Sequence, residues 1–141
     1  MAIQWVLLPL FVEVILTFAL LLWMGVLRRA DFNAGIAKPE QIALREPNWS
    51  PRTRQVAYSF SNQFELPVLF YLLTVLAIMT RKADYLFVIM AWVFVASRLG
   101  QAFIHTTSNR VLQRGAIYMV GAVTLMAMWL IFIVRIMLGL S

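Results

Sequence analysis

The chain has 141 residues, of which 62% are hydrophobic and 13% are charged. Soluble domains contain roughly 45–50% apolar and about 25% charged residues, so this composition argues against intrinsic disorder and against a water-soluble globule. The net charge of +6 does not indicate nucleic-acid binding, because the basic residues lie between apolar segments, where orientation signals and lipid contacts belong. The sequence has no cysteine, which excludes disulfides and cysteine-ligated metals.

Four apolar segments approach or exceed the length of about 20 residues that a helix needs to cross a bilayer. The predicted spans cover residues 3–27, 56–80, 85–105 and 115–137, and a long polar loop covers 28–55. Glu13 and Glu65 are the single charges inside the first and second spans, and Pro67 predicts a kink in the second. The sequence therefore predicts an all-α integral membrane protein, an antiparallel bundle of four transmembrane helices.

The distribution of basic residues predicts the orientation. Loops one and three carry most of them, namely Arg28, Arg29, Lys38, Arg45, Arg52, Arg54, Arg110 and Arg114. Cytoplasmic loops are enriched in Lys and Arg, so we expect loops one and three in the cytoplasm and both termini outside.

Polar side chains recur at helical spacing in and around the last three spans. The three stripes are Arg54, Tyr58, Asn62 and Glu65; Arg98, Gln101 and His105; and Arg110, Arg114 and Tyr118. Residues three and four apart share one helix face, so these stripes converge at the cytoplasmic side. An unpaired charge at this depth costs several kcal/mol, so we expect Glu65 and Arg98 to face each other or a wet cavity. A buried ion pair that only fixes helix register is the structural alternative.

The predicted cavity is cationic and contains one carboxylate. Arginine binds carboxylates through paired hydrogen bonds, and a glutamate can bind an ammonium group. A small zwitterion with additional carboxylates matches this pattern, and glutathione is one such molecule. An arginine could also stabilise a bound thiolate electrostatically and make it nucleophilic near neutral pH.

Three weaker signals have structural interpretations. Glu13 and Arg135 lie towards the outer ends of the first and fourth spans and predict a structural ion pair. His105 is the single histidine, and a metal site usually needs three or four ligands, so no metal site is predicted. Gly121 and Ala122 predict a close approach between helices.

The segment Asn62-Gln63-Phe64-Glu65-Leu66-Pro67 resembles the Asn-x-x-Glu element of the MAPEG family, the membrane-associated proteins of eicosanoid and glutathione metabolism. The length, the four spans, the long first loop and the basic third loop resemble that family over essentially the whole chain. Residues 62–71 and 104–110 are most similar to uncharacterised bacterial members. The resemblance implies a homotrimer in a membrane, here the bacterial inner membrane, with glutathione bound between subunits and open to the cytoplasm.

The resemblance also implies roles for individual residues. Asn62 and Glu65 match the glutathione-binding pair, and Arg98 matches an arginine of the third helix. Arg114 lies near the arginine that stabilises the thiolate in the family's synthases, and Arg110 is the alternative register.

Other positions resemble the family less closely or depart from it. Arg29 resembles another functional arginine of some members. Tyr58 occupies a position where family enzymes often carry arginine, and Arg54, one turn away, is a candidate replacement. Gln101 and His105 replace the aromatic or histidine residues found one and two turns beyond the third-helix arginine.

The leading hypothesis is a glutathione-transferase-like membrane enzyme that acts on hydrophobic electrophiles or peroxides entering from the lipid. Its predicted catalytic residues are Arg114 and Arg29, and its predicted cofactor-binding residues are Arg54, Asn62, Glu65, Arg98, Gln101 and His105. The alternative is a non-catalytic accessory or lipid-binding protein that keeps the same fold. A transporter is a weaker hypothesis, because four short spans offer no pair of discontinuous helices. The predicted partners are other copies of the chain, membrane lipids and hydrophobic small molecules, with no nucleic acid.

Overall fold

The computed structural model describes residues 2–37, 49–108 and 110–139, and within them the chain is helical, with no strand. The helices there are α1 (Ile3–Asn33), α2 (Pro51–Asn62), α3 (Leu66–Met79), α4 (Tyr85–Thr106) and α5 (Val111–Met137). With α2 and α3 taken as one broken span, the described residues form four segments long and apolar enough to cross a membrane. The predicted all-α membrane bundle is confirmed.

The helices extend into the predicted loop 28–55. The first helix runs past its predicted end, and α2 begins at Pro51. Proline suits the first helical position because its φ is already helical and its missing N–H has no partner to lose there. The Ser50 side chain caps the same end by accepting a hydrogen bond from the N–H of Thr53 at 3.4 Å. The segment 38–48 lies outside the described residues, and so do the two basic residues predicted within it, Lys38 and Arg45.

Two apolar clusters form the core of the bundle. The first joins α1, α3, α4 and α5 and contains Val6, Phe70, Leu73, Ala77, Phe87, Ala91, Phe94, Val95, Leu125 and Met128. The second joins α1, α2 and α4 and contains Leu20, Met24, Val56 and Ala102. Glu13 lies between the two clusters along α1, and Arg98 lies between them along α4. A polar layer therefore separates the two halves of the core.

The outside of the bundle is apolar over most of its length. Exposed large side chains include Leu22, Phe103 and Met126, each about two-thirds exposed or more. Such side chains suit contact with lipid tails, because a surface this apolar is unusual on a soluble monomer. The protein is an integral membrane protein.

Helices α4 and α5 approach closely at Gly121. A Cβ atom at this glycine would lie 2.5 Å from the hydroxyl oxygen of Ser97, which itself donates a hydrogen bond to the carbonyl of Phe94 at 2.6 Å. No real side chain fits at that distance unless Ser97 moves, so the glycine permits the contact. The close approach predicted at Gly121 is confirmed.

The predicted ion pair between Glu13 and Arg135 is wrong. Arg135 pairs with Asp84, with 2.9 Å between Nη1 and Oδ2, where α3 turns into α4. Asp84 also caps α4 by accepting a hydrogen bond from the N–H of Phe87 at 3.0 Å. Asp84 is partly solvated at the end of the bundle, so Arg135 can pair with it and still keep part of its own hydration. Glu13 is fully buried, and a pair with it would remove that hydration.

The opposite end of the bundle is held by contacts between α1 and the start of α2. The carboxylate of Asp31 accepts a hydrogen bond from the N–H of Ser50 at 3.0 Å. The guanidinium of Arg28 lies 5.0 Å from the ring centroid of Trp49, which also makes an edge-to-face contact with Phe32. These contacts fix where α2 begins and therefore which of its faces points into the bundle.

Arg52 adds a third helix to the same end. Its guanidinium lies 4.8 Å from the ring centroid of Trp23 on α1. Its Nη1 also donates a hydrogen bond to the carbonyl of Thr106, at the last residue of α4. A cation at a helix C-terminus satisfies carbonyls that have no partner within the helix. Arg52 thus joins α1, α2 and α4 at this end of the bundle.

Candidate functional site

The second span is broken between Asn62 and Leu66, immediately before Pro67. Proline has no N–H, so the helical hydrogen-bond ladder is interrupted and the last carbonyls of α2 need other donors. The carbonyl of Asn62 accepts from the N–H of Glu65 at 3.3 Å and from Nη2 of Arg98 at 3.0 Å. The kink predicted from Pro67 is confirmed, and a side chain of another helix supports it.

Arg98 is the polar centre of this region. It is 2% exposed, and its Nη1 donates a hydrogen bond to Oε1 of Gln101 at 2.5 Å. Its guanidinium carbon lies 6.0 Å from the ring centroid of Tyr118 on α5. The positive charge beside the last carbonyls of α2 also complements the dipole of that helix.

Glu65 faces a cavity and does not pair with Arg98. Its side chain is exposed, and among the described residues no ion pair joins it to Arg98. Glu13 of α1 is a carboxylate that is buried, as Arg98 is, between the two apolar clusters. Glu65 therefore faces a cavity, as one of the two expected arrangements has it, whereas Arg98 is buried and does not line that cavity.

A cleft opens between α2, α4 and α5. Its volume is about 400 Å³, and small-molecule sites range over roughly 300–1,000 Å³. Its lining residues are Tyr58, Asn62, Glu65, Gln101, His105, Arg114, Gly115 and Tyr118. The three polar stripes therefore converge on one surface, as the helical spacing predicts.

The cleft gathers some of the predicted site residues and leaves others outside. The predicted residues that line it are Asn62, Glu65, Gln101, His105 and Arg114. Arg98 lies behind the wall and touches it through Asn62 and Gln101. Arg54, Arg29 and Arg110 are not among the lining residues: Arg54 is half-buried on α2, and the other two are exposed.

The sequence predicted no site role for three residues that the structure places in the cleft wall or in the buried layer with Arg98. Tyr58 and Tyr118 line the cleft, and their four-residue spacing from Asn62 and Arg114 had placed them in the polar stripes without a role. Glu13 is buried in the same layer of the bundle as Arg98, between the two apolar clusters. No spacing rule points to Glu13, because periodicity along α1 does not reveal which residue of α4 it faces.

The charged groups of the wall can bind a zwitterion. Glu65 supplies a carboxylate, Arg114 supplies a guanidinium, and Asn62, Gln101 and Tyr118 supply neutral donors and acceptors. No group of three or more His, Asp or Glu side chains that could hold a metal ion occurs within the described ranges. The chemistry available to this wall is therefore ion binding, hydrogen bonding and electrostatic stabilisation.

Comparison with known protein families gives one match. The MAPEG family matches residues 6–134. The chain belongs to the MAPEG family. No curated protein and no solved structure shows significant similarity to it. MAPEG proteins are associated with glutathione and eicosanoid metabolism, and the matched region contains every residue that lines the cleft.

Proposed function

We propose that this MAPEG protein is a glutathione-dependent membrane enzyme that conjugates hydrophobic electrophiles, or reduces peroxides, at the cleft between α2, α4 and α5. The proposal rests on two opposite charges that line the same open cleft. These are the exposed carboxylate of Glu65 and the guanidinium of Arg114. Glutathione carries an ammonium group, two carboxylates and a thiol, so it can engage both charges at once. Its cysteine sulfur is the nucleophile that the reaction needs.

The proposal assigns roles to five of the lining residues and to Arg98 behind the wall. Glu65 binds the ammonium group, and Asn62 binds a polar group of the peptide. Gln101 and His105 contribute further hydrogen bonds from α4. Arg98 contributes mainly through its charge, because both of its Nη groups already donate to protein atoms.

The carboxylates of glutathione need a further cation. Arg54 lies eight residues before Asn62 on α2, which is about two helical turns on the same face. We assign it to a carboxylate at the rim of the cleft. Arg29, on the exposed end of α1, is assigned a supporting role at the same mouth.

Arg114 is assigned the central chemical role. The thiol of glutathione loses its proton to water at the mouth of the cleft, and the guanidinium stabilises the thiolate. In conjugation, the sulfur forms a bond to an electrophilic carbon while the leaving group departs with the bonding pair. With a peroxide, two glutathione molecules are oxidised to the disulfide while the peroxide becomes an alcohol and water. Arg114, and not Arg110, is assigned this role because Arg114 lines the cleft.

The proposal includes a homotrimer with the cleft at the boundary between subunits. Glu65 and Tyr58 are exposed on the side of a single bundle, at a depth where lipid would otherwise meet them. A charge in contact with lipid is costly, so a second copy that covers this side would remove the penalty. The proposed topology puts the cleft mouth and loops one and three in the cytoplasm, with both termini outside, in a bacterial inner membrane.

Calorimetric titration with glutathione tests the function. The purified protein in mild detergent should release or absorb heat on binding, and millimolar glutathione should raise its melting temperature. Native mass spectrometry of the same sample should give a trimer. The Arg110→Ala variant is the matched control, since it removes an arginine that lies four residues from Arg114 and does not line the cleft.

A second function is favoured by one specific observation. Arg98 uses its donors on Asn62 and Gln101, which makes it a support for the broken helix as well as a site residue. This arrangement also suits a non-catalytic accessory or lipid-binding protein that keeps the MAPEG fold. Absence of heat and of thermal stabilisation at millimolar glutathione would select this alternative.

A further inference from the structure

Glu13 and Arg98 occupy the polar layer between the two apolar clusters. Glu13 is 0% exposed on α1, and Arg98 is 2% exposed on α4, which packs against α1. Thr17 lies beside Glu13 on α1, and its hydroxyl donates a hydrogen bond to the backbone carbonyl of Glu13 at 3.0 Å.

The charged atoms in this layer are incompletely hydrogen-bonded. Within the described residues, both carboxylate oxygens of Glu13 and Nε of Arg98 are buried without a hydrogen-bond partner. Burying an isolated charge is costly, but opposite charges attract strongly in a low-dielectric interior, even beyond hydrogen-bonding distance. Both groups lie in the same buried layer, on helices that pack against each other, and within the described residues the carboxylate of Glu13 has no hydrogen-bond partner. Glu13 is therefore placed to act as the interior counter-charge of Arg98.

Arg98 connects this layer to the cleft. Its two Nη groups contact the carbonyl of Asn62 and the side chain of Gln101, and both of those residues line the cleft. A change of charge at Glu13 would therefore alter the electrostatic potential at the cleft wall through Arg98, although Glu13 itself is not among the lining residues.

We propose that Glu13 is a positioning residue of the cleft: its carboxylate, buried in the same layer as the guanidinium of Arg98, offsets the charge of that guanidinium and so limits the affinity of the cleft for anions. For glutathione this inference rests on the proposed function, but for a simple anion it does not. Removing the charge while keeping the shape, as in Glu13→Gln, lowers stability and strengthens anion binding. A residue that only supports the fold would lower stability without strengthening binding.

The test uses sulfate as the probe and the full-length protein in detergent. Melting temperatures are measured with low millimolar sulfate or chloride at constant ionic strength for the parent, Glu13→Gln, Arg98→Gln and the double variant. Glu13→Gln should melt below the parent without sulfate, yet show a larger sulfate-induced rise and about three- to tenfold tighter sulfate binding. The rise should be smaller than in the parent in both variants that lack Arg98, where Arg114 is the cation that still lines the cleft. Glu13→Asp keeps the carboxylate, so its sulfate response should lie closer to that of the parent than the response of Glu13→Gln does.

Two readouts decide the case: the melting temperatures of all three variants, and, if Arg98→Gln does not fold, the sulfate responses of the parent, Glu13→Gln and Glu13→Asp. If Glu13 and Arg98 compensate each other, the double variant melts higher than the sum of the two single losses predicts. A sulfate response in Glu13→Gln that is no larger than in the parent overturns the inference, and so does a double variant that melts at or below the additive value. A parent that responds to sulfate but not to glutathione removes the proposed enzyme and leaves the role of Glu13 standing.

Discussion

Nη2 of Arg98 donates a hydrogen bond to the backbone carbonyl of Asn62 at 3.0 Å, from α4 to the last residue of α2. The carbonyl is available because the second span breaks before Pro67. One side chain therefore supports the helix break, holds Gln101 in the cleft wall and carries a buried charge in the same layer as Glu13. Arg98 therefore contributes both to the stability of the bundle and to the cleft wall, and different variants test the two contributions separately.

Arg98→Ala should be strongly destabilising. It removes the donor to Asn62 and leaves Glu13 buried without its counter-charge, and loss of one member of a buried pair costs about 3–5 kcal/mol. Thermal unfolding in detergent measures the effect. Arg110→Ala, at an exposed position before α5, is the control and should melt within a degree or two of the parent. Equal melting of Arg98→Ala and the parent would contradict the structural role of Arg98.

Glu65→Ala should behave in the opposite way. The side chain is exposed on the cleft wall and forms no ion pair with Arg98 in the described part of the chain, so its loss should leave the melting temperature nearly unchanged. Glutathione affinity should fall about tenfold or more, because the ammonium group loses its counter-charge. Calorimetry on Glu65→Ala and Glu65→Asp measures this, and Asp should retain part of the affinity. A large loss of stability in Glu65→Ala would show that Glu65, and not Glu13, compensates Arg98.

Gly121→Ala should destabilise the contact between α4 and α5. The new Cβ would lie 2.5 Å from the Ser97 hydroxyl, and overpacking of this kind costs about 1–3 kcal/mol. Gly25→Ala is the matched control: it also lies inside a helix but meets no atom within 4 Å, so it should be neutral or slightly stabilising. Adding Ser97→Ala to Gly121→Ala should recover part of the loss. Equal melting of the two glycine variants would mean that the helices are not in close contact at Gly121.

Arg114→Ala should leave folding nearly intact and strongly reduce thiol transfer. Arg114 is only partly buried at the cleft, where water can replace some of its contacts. Loss of one electrostatic donor to a developing anion typically costs about 100- to 1000-fold in rate. Initial rates of conjugation with an aromatic electrophile measure the effect, with Arg110→Ala as the control. Full activity in Arg114→Ala alongside loss in Arg110→Ala would move the catalytic role to Arg110.

Much of this architecture follows from the sequence for simple physical reasons. A bilayer demands long apolar helices, so composition alone locates four spans. Helical periodicity then places Asn62 and Glu65 on one face and Gln101 and His105 on another, and these faces meet in the cleft. The break before Pro67 follows from the missing N–H.

The pairing of charges was harder to predict because it depends on how helices face each other. Periodicity assigns Glu13 to a face of α1 but does not say whether that face meets α4 or α5. Depth suggested Arg135 as its partner, whereas Arg135 reaches Asp84 at the turn between α3 and α4. Glu65 and Arg98 lie at similar depths, yet the helix break leaves Glu65 exposed on the cleft wall. Local backbone geometry and helix rotation decided these pairings.

The central claim is that the cleft binds glutathione and that Arg114 stabilises its thiolate. The most direct measurement is the ultraviolet difference spectrum of the protein with and without glutathione near neutral pH, in which a thiolate absorbs and a thiol does not. The parent protein should show a thiolate band that saturates with glutathione, and Arg114→Ala should bind glutathione with little or no band. The absence of any thiolate band in the parent at saturating glutathione, or a band of equal size in Arg114→Ala, would contradict the account.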